Sequence, residues 1–327
     1  MISIALCTYN GEKFLREQLD SIALQTLLAD ELVVCDDCST DNTLTILERF
    51  RERVSFPVHI HQNTRNLGTT RNFEKAIGLC SGDIIALCDQ DDVWKPHKLE
   101  RLAAVFKANP DAGYVFSNAE LVDEHLRPLG QFLWGSIGFH GEIYNLFVQG
   151  EQFMCLTKKH FVTGATMAFR DFVGKRSRPY PDAGYWLHDG WIALVSSATG
   201  ALGVPVNEPL TYYRQHPKQQ IGTRSKHQSL LDMYRGLKAN QHTLFVAWEK
   251  NCLQILELKS RSFPQNSTVL EQNLSYLREF ETHFLNRRKI LTSKNFSGLK
   301  LICKEILSGR YGRFSGTWRS VFRDIFL

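Results

Sequence analysis

The chain has 327 residues, 43% of them hydrophobic and 22% charged, with a net charge of +5. That composition suits a sizeable α/β core, either one large domain with an appendage or two domains. The longest apolar stretch, "WIALVSSATGALGVPV", is broken by Ser, Thr and Gly, which excludes a membrane span. The eight scattered cysteines argue against a disulfide scaffold.

The first third alternates strand and helix. The run "ISIALC" (2–7) predicts a buried strand; it follows Met1 without a basic leader, so no signal peptide is expected. A helix follows over 11–25, with Phe14, Leu15, Leu19 and Ile22 on one face. Next comes a strand over 31–36, then Ser39, Thr40 and Asp41 as capping-type residues for a helix through Leu44 and Leu47. Residues 57–62 predict a third strand, 69–80 a third helix and 83–88 a fourth strand. Strands and helices in this order imply right-handed βαβ units and a mostly parallel sheet, whose ligands bind beyond the carboxyl ends of the strands.

Beyond the fourth strand stands "DQDDVW", with three carboxylates in four residues. On extended backbone, residues two apart point the same way, so Asp89 and Asp91 converge and repel unless a cation lies between them. A hard divalent ion, Mg²⁺ or Mn²⁺, suits such oxygen ligands. A second acidic pair, Asp36 and Asp37, ends the second strand, as binding groups or as a polar turn and helix cap. Asp92 either joins the site or orders the turn before "WKPHKLE", where Pro96 suits the first helical position. Trp94 is expected to pack beneath the loop. Cys35 and Cys38 have ligand spacing but no matching second pair, and read as incidental.

Residues 113–123 and 163–170 predict further strands, and 184–200 a turn into a helix. From about 226 the pattern turns helical, with Leu230, Tyr234, Leu237, Leu244, Trp248 and Ile255 recurring at a period near 3.6. Charge divides the same way. Residues 1–224 carry 22 Lys and Arg against 26 Asp and Glu, while 225–327 carry 17 against 8. At the end, Phe314, Trp318, Phe322 and Ile325 form a stripe beside Arg313, Arg319 and Arg323. That stripe suits either an anionic membrane surface or docking on the catalytic domain. No nucleic-acid reader motif accompanies the basic residues. The division expected is a catalytic domain over 1–224, split near 118 into donor and acceptor halves, and a basic helical region over 225–327.

The motifs "CTYNGEKFLREQLDSI", "VVCDDCSTDNT", "NLGTTRNFEKAI", "GDIIALCDQDDVWKPHKLE", "GATMAFR", "WLHDGWIAL" and "YRQH" occur in order over residues 2–216. Together they resemble the motifs of inverting family-2 glycosyltransferases. The last forms are most similar to bacterial enzymes of O-antigen and other surface polysaccharides, many of them rhamnosyltransferases. The resemblance implies the GT-A nucleotide-sugar fold, an α/β domain with a mostly parallel central sheet and here a helical extension. It implies transfer of a sugar, rhamnose from dTDP-rhamnose in the nearest forms, onto a glycan or lipid-linked saccharide. Such an enzyme works in the cytoplasm or against the inner face of the plasma membrane.

Residue by residue, the resemblance assigns Thr8, Tyr9, Asn10, Asp36, Asp37, Asn66, Asp89 and Gln90 to the donor. Asp37 would take the pyrimidine N–H, and Asp36 would lie toward the ribose. Asn10 reads equally as a cap of the first helix. Asp91, Asp89 and His216 would hold the metal, although a lone His after a strand is often structural. Asp189 would be the catalytic base; its bland reading is a helix cap. Gly164, Ala165, Thr166, His188 and Trp191 would face the acceptor, with a tight turn as the other account of the first three.

Overall fold

A computed structural model describes residues 1–181, 187–217, 268–292, 296–315 and 321. It divides into two compact units, Met1–Gln228 and Ser229–Leu327.

In the first unit, β1 (Ile2–Thr8), β2 (Glu31–Asp36), β3 (Val58–Gln62) and β4 (Ile84–Cys88) are parallel, in the spatial order β3-β2-β1-β4. Every residue of β2 is buried, because helices cover both faces of the sheet. Those helices are α1 (Leu15–Ala23), α2 (Thr43–Arg51), α3 (Thr69–Leu79) and α4 (Lys98–Ala108). Leu15, Leu19 and Ile22 of α1 pack with Ile4, Leu6, Val34, Leu47 and Phe50 in one core, as their helical spacing predicts. The register pairs Thr8 with Asp36, Asp36 with Gln62 and Leu6 with Cys88. The carboxyl ends of all four strands therefore finish along one edge.

The sheet continues through residues 93–214 with mixed direction. It adds β5 (Val93–Trp94), β6 (Tyr114–Val122), β7 (Pro128–Phe132), β8 (Met167–Arg170) and β9 (Gly203–Arg214). β8 lies antiparallel to both β4 and β6, β9 runs parallel to β6, and β5 pairs antiparallel with β9. Between β7 and β8 come α5 (Leu133–Ile137), α6 (Gly141–Val148), α7 (Gln152–Lys158) and a single 3-10 turn, Gly164–Thr166. The strand expected over 163–170 thus begins only at Met167. After β8 come α8 (Asp171–Arg176) and α9 (His188–Ala198), every residue of α9 except Asp189 being buried. Pro96 stands two residues ahead of α4 rather than in its first turn; its carbonyl accepts the Thr26 N–H at 2.8 Å.

The second unit contains α10 (Thr268–Thr292), α11 (Phe296–Leu307) and α12 (Arg310–Ser315). Its interior holds Leu274, Leu277, Phe280 and a charged group. Buried Glu305 accepts from His283 at 2.6 Å, Asn286 at 2.7 Å and Arg310 at 3.0 Å. Phe314 of the expected stripe is 5% exposed, with ring centroids 5.2 Å from both Tyr276 and Phe280, and Arg313 pairs with Glu279. That part of the stripe packs inside its own unit. Trp318, Phe322, Ile325, Arg319, Arg323 and the stripe from Leu230 to Ile255 lie outside the described residues.

Candidate active site

Along the shared edge of the first unit opens a cleft of about 2690 Å³, lined from β1, the loops after β2 and β4, α3, α9 and the segment between β6 and β8. Two acidic corners stand at its floor, and they are built differently.

At the end of β2 the carboxylates are fully engaged. Asp36 is 0% exposed and accepts from the Thr8 hydroxyl at 2.8 Å, the Ser39 hydroxyl at 2.5 Å and the Ser39 N–H at 2.9 Å. It stands behind the cleft wall as a fastener of the loop, not toward a ribose as the sequence suggested. Asp37 does line the cleft, and holds the loop after β3 through the N–H groups of Leu67 (2.7 Å) and Gly68 (2.9 Å) and the amide of Asn63 (2.8 Å). Asn66 lines the cleft beside it and accepts from Gly68 N–H. Asn10 is not the cap of α1, which begins at Leu15. Its backbone sits at φ 47°, its N–H donates to Ser39 Oγ and its side-chain oxygen accepts the Thr40 N–H, both at 2.9 Å. Ser39 thereby turns back to Asp36, and of the three expected caps only Asp41 meets the start of α2, at the Thr43 N–H.

At the end of β4 the carboxylates are under-supplied. Burial, with Asp91 and Asp189 nearby, pushes the Asp89 carboxyl up to about 7. Asp92 is 1% exposed; one oxygen accepts the Arg214 N–H at 2.9 Å while the other has no partner among the described residues. Burial, with Asp91 and Asp89 nearby, raises it well above the usual range. Asp91 reaches His216, its Oδ2 2.8 Å from His216 Nε2, and that ring packs 4.9 Å from Phe14. Arg214, which sequence reasoning passed over inside "YRQH", braces this corner. Its buried guanidinium donates to the carbonyls of Asp91 (2.7 Å) and Glu124 (2.5 Å), pairs with Glu17 and lies 4.4 Å from the Phe14 ring. Trp94 packs beneath the loop, 2% exposed.

Gln90 lines the cleft with its amide bonded to a neighbouring backbone. It accepts the Tyr9 N–H at 2.9 Å and donates to the Tyr9 carbonyl at 3.1 Å, so the loops after β1 and β4 are tied together. The tie explains Gly11: a Cβ there would stand 2.3 Å from Gln90 Oε1. Thr8 and Tyr9 line the cleft, Tyr9 being 50% exposed.

Asp189, which lines the same cleft, opens α9. Its Oδ2 accepts the Gly164 N–H and its Oδ1 the Gly190 N–H, each at 2.7 Å. Each oxygen keeps a lone pair for an incoming group. His188 is buried with its ring stacked 3.9 Å from Phe73, and burial lowers its proton affinity. Gly164, Ala165 and Thr166 are buried behind the wall; the Gly164 backbone serves Asp189 rather than a ligand, and Thr163 and Val162 take the lining position. Trp191 does not face the cleft. It is 0% exposed and donates its indole N–H to the Ser177 carbonyl at 2.6 Å, so it belongs to the core.

The opposite wall was not anticipated. Phe132, Trp134, Tyr144 and Lys159 line it, backed by the packed rings of Phe116, Phe139 and Phe147. The aromatic density of "FLWGSIGFHGEIYNLF" was the available signal.

Two carboxylates and an imidazole on one loop corner form a donor set that suits a hard divalent cation. Among the described residues no three such groups are already closed into a cage. The fit rests on the Asp91–His216 contact and on the crowding at Asp89 and Asp92, which a cation would relieve.

The model of the family described as "Glycosyl transferase family 2" matches residues 3–176, more than half of the chain. The chain belongs to glycosyl transferase family 2. It is 27% identical over 218 residues to an uncharacterized glycosyltransferase of Nostoc, a match covering 66% of this chain and 65% of that protein. It is 26% identical over 216 residues to TuaG of Bacillus subtilis, named for teichuronic acid biosynthesis, covering 65% of this chain and 79% of the relative. The chain thus spans just under two thirds of the Nostoc relative's length. Among solved structures, S. aureus TarS 1–349 in complex with UDP-GlcNAc aligns with a TM-score of 0.55 at 17% identity, over 92% of this chain and 78% of that one. Mannosyltransferase PcManGT of Pyrobaculum calidifontis, in complex with GDP-Man and Mn²⁺, aligns at 0.51 and 15% identity, over 99% and 85%. These likenesses establish a shared GT-A type fold.

Proposed function

We propose that this protein is a metal-dependent, inverting glycosyltransferase that moves a sugar from a nucleoside-diphosphate donor to a saccharide acceptor. The observation that carries the reading is the meeting of two kinds of group in one cleft. The under-supplied carboxylates and His216 line it together with Asp189, which is held at both oxygens.

In this reading the base and ribose of the donor lie along Asp37, Asn66 and the loop after β1. Asp91, Asp89 and His216 would hold a Mg²⁺ or Mn²⁺ ion. Such an ion, when bound, supplies positive charge against the diphosphate. Asp189 takes the proton of the acceptor hydroxyl as that oxygen forms a bond to the anomeric carbon. The bond from that carbon to the diphosphate breaks on the opposite face, and the diphosphate leaves with the electron pair. A single base suffices, with no covalent intermediate. The cleft exceeds the several hundred Å³ of an ordinary ligand pocket, which leaves room for a second substrate. The wall of Phe132, Trp134, Tyr144 and Lys159 is the side offered to the acceptor. A surface-polysaccharide or lipid-linked saccharide acceptor follows from the motif forms. Among the described residues no helix is long and apolar enough to cross a membrane.

The test is a donor panel, with and without Mn²⁺, read by thermal shift and by nucleotide release. It includes dTDP-rhamnose, expected from the motif forms, beside UDP-N-acetylglucosamine and GDP-mannose. A donor at a hundred times its Kd adds about 2.7 kcal/mol of stability. Asp189→Asn is expected to lower kcat by about 10²–10⁴-fold while leaving donor affinity unchanged. A panel in which no nucleotide sugar binds, or near-full transfer by Asp189→Asn, overturns the reading.

A further inference from the structure

Lys98 begins α4, yet its side chain turns inward and is 0% exposed. The ammonium lies 3.9 Å from the Trp94 ring, donates to the Ala165 carbonyl at 2.6 Å and donates to Thr211 Oγ1 at 3.0 Å. This is a costly arrangement. A cation in the first turn of a helix opposes the helix dipole. Burial also strips water from the charge. An apolar side chain such as Met would fill the space without either cost.

What the charge reaches explains its place. Burial pulls the Lys98 proton affinity down to about 7, while Cys88, Asp92 and Asp89 at the end of β4 favour its charged form. The ammonium grips the Gly164–Thr166 turn at Ala165. The preceding residue of that turn, Gly164, donates its N–H to Asp189 Oδ2 at 2.7 Å. One turn is therefore held from beneath by Lys98 and holds Asp189 above. The third anchor, Thr211, lies on β9, the strand that delivers Arg214 to the acid loop.

We propose that Lys98 is a positioning residue for transfer. Its buried ammonium counterbalances the acidic loop and locks the Gly164–Thr166 turn, so that the donor-side carboxylates and Asp189 keep a fixed relation. The inference rests on the glycosyl-transfer reading for its consequence, but its geometry stands independently.

The experiment replaces Lys98 by Met, which keeps the volume and removes the charge, and by Gln, which keeps a donor without the charge. Hydrogen–deuterium exchange is followed over 163–166 and, as a reference, over Val33 and Val34 in β2. The expected result is exchange at Gly164 about tenfold faster, with β2 unchanged. In parallel, kcat per folded molecule falls by about 10–100-fold on the best donor of the panel, with donor KM within about twofold, the signature of a misplaced reacting group. Unchanged exchange at Gly164, an equal rise everywhere, or kcat within about twofold of the parent overturns the proposal. If both Lys98 variants fail to fold, Thr211→Val removes one anchor and keeps the charge; it should speed Gly164 exchange several-fold, and no change overturns the proposal. A parent protein that turns over no nucleotide sugar while the exchange difference stands refutes the transfer reading and not the turn lock.

Discussion

The two acidic corners of the cleft use the same side chain for opposite purposes. At the end of β2, Asp36 and Asp37 are saturated with donors from Thr8, Ser39, Asn63, Leu67 and Gly68, and the loops they gather are fixed. At the end of β4, Asp92 keeps an oxygen with no partner among the described residues, and Asp89 is crowded by Asp91 and Asp189. A carboxylate whose hydrogen bonds are complete contributes to the fold. A buried one short of donors costs stability, and is retained where a ligand will complete it. The difference separates architecture from chemistry within a few residues of each other.

Between the two corners, the larger expected effect falls on the second. Asp89→Asn removes a charge that burial and two neighbouring carboxylates already disfavour. The apo protein should melt at the same temperature or higher, while transfer falls by about 10²–10³-fold. Calorimetry and a donor-turnover assay on one preparation decide it. A clear loss of thermal stability would mean that Asp89 is also a structural acid, and the contrast would collapse.

Asp37→Asn tests the first corner and should behave in the reverse manner. An amide there turns an N–H₂ toward the backbone N–H of Leu67 or of Gly68, so one of these two charge-assisted bonds is lost, and where it is Gly68's only the Asn66 side-chain oxygen still accepts it. The expected cost is about 2–3 kcal/mol, or roughly 5–10 °C in Tm. Donor affinity falls with the loop, whereas kcat at saturating donor changes much less. A chemical denaturation curve and KM against kcat separate the two. Full stability in this variant would show that the Asp37 hydrogen bonds do not hold the loop.

The sequence made part of this contrast visible. Carboxylates after a buried strand were legible because strand ends are simple to place, whereas Asp189 was singled out by the "HDGW" motif form, since its position before the apolar run of α9 suits a helix cap equally well. The local tie of Gln90 to Tyr9 was not, since an amide that serves a backbone and one that serves a ligand have the same spelling. Trp191 was misread for a related reason. Proximity to Asp189 in sequence says nothing of direction on a helix, where adjacent residues diverge by about 100°. Arg214 and Lys98 act on partners more than sixty residues away, at Asp91 and Ala165. No local pattern encodes such contacts. The mixed strands after β4 were obscured as well, because β8 is short and preceded by a 3-10 turn.

The smallest effect concerns a saturated acid far from the chemistry, and calibrates the comparison. Glu31 opens β2 at 7% exposure. Its Oε1 accepts the Ser3 hydroxyl at 2.5 Å, the Ser81 N–H at 2.6 Å and the Ser81 hydroxyl at 2.9 Å. Burial alone would raise its proton affinity, but these hydrogen bonds outweigh it and hold the carboxyl below its ordinary value. The unfolded chain therefore takes up the proton first as pH falls. The stabilisation is fully present above the ordinary carboxylate range and is lost as pH drops through the lower, folded value. Glu31→Gln keeps an acceptor for the same donors and gives up only the charge. It should cost about 1 kcal/mol near neutral pH, and the gap to the parent should close in acid. Denaturation midpoints at neutral and strongly acidic pH measure it. A gap that stays constant with pH would show that the Ser3 and Ser81 bonds do not favour the ionised form, and that saturation by donors is not what makes an acid structural in this fold.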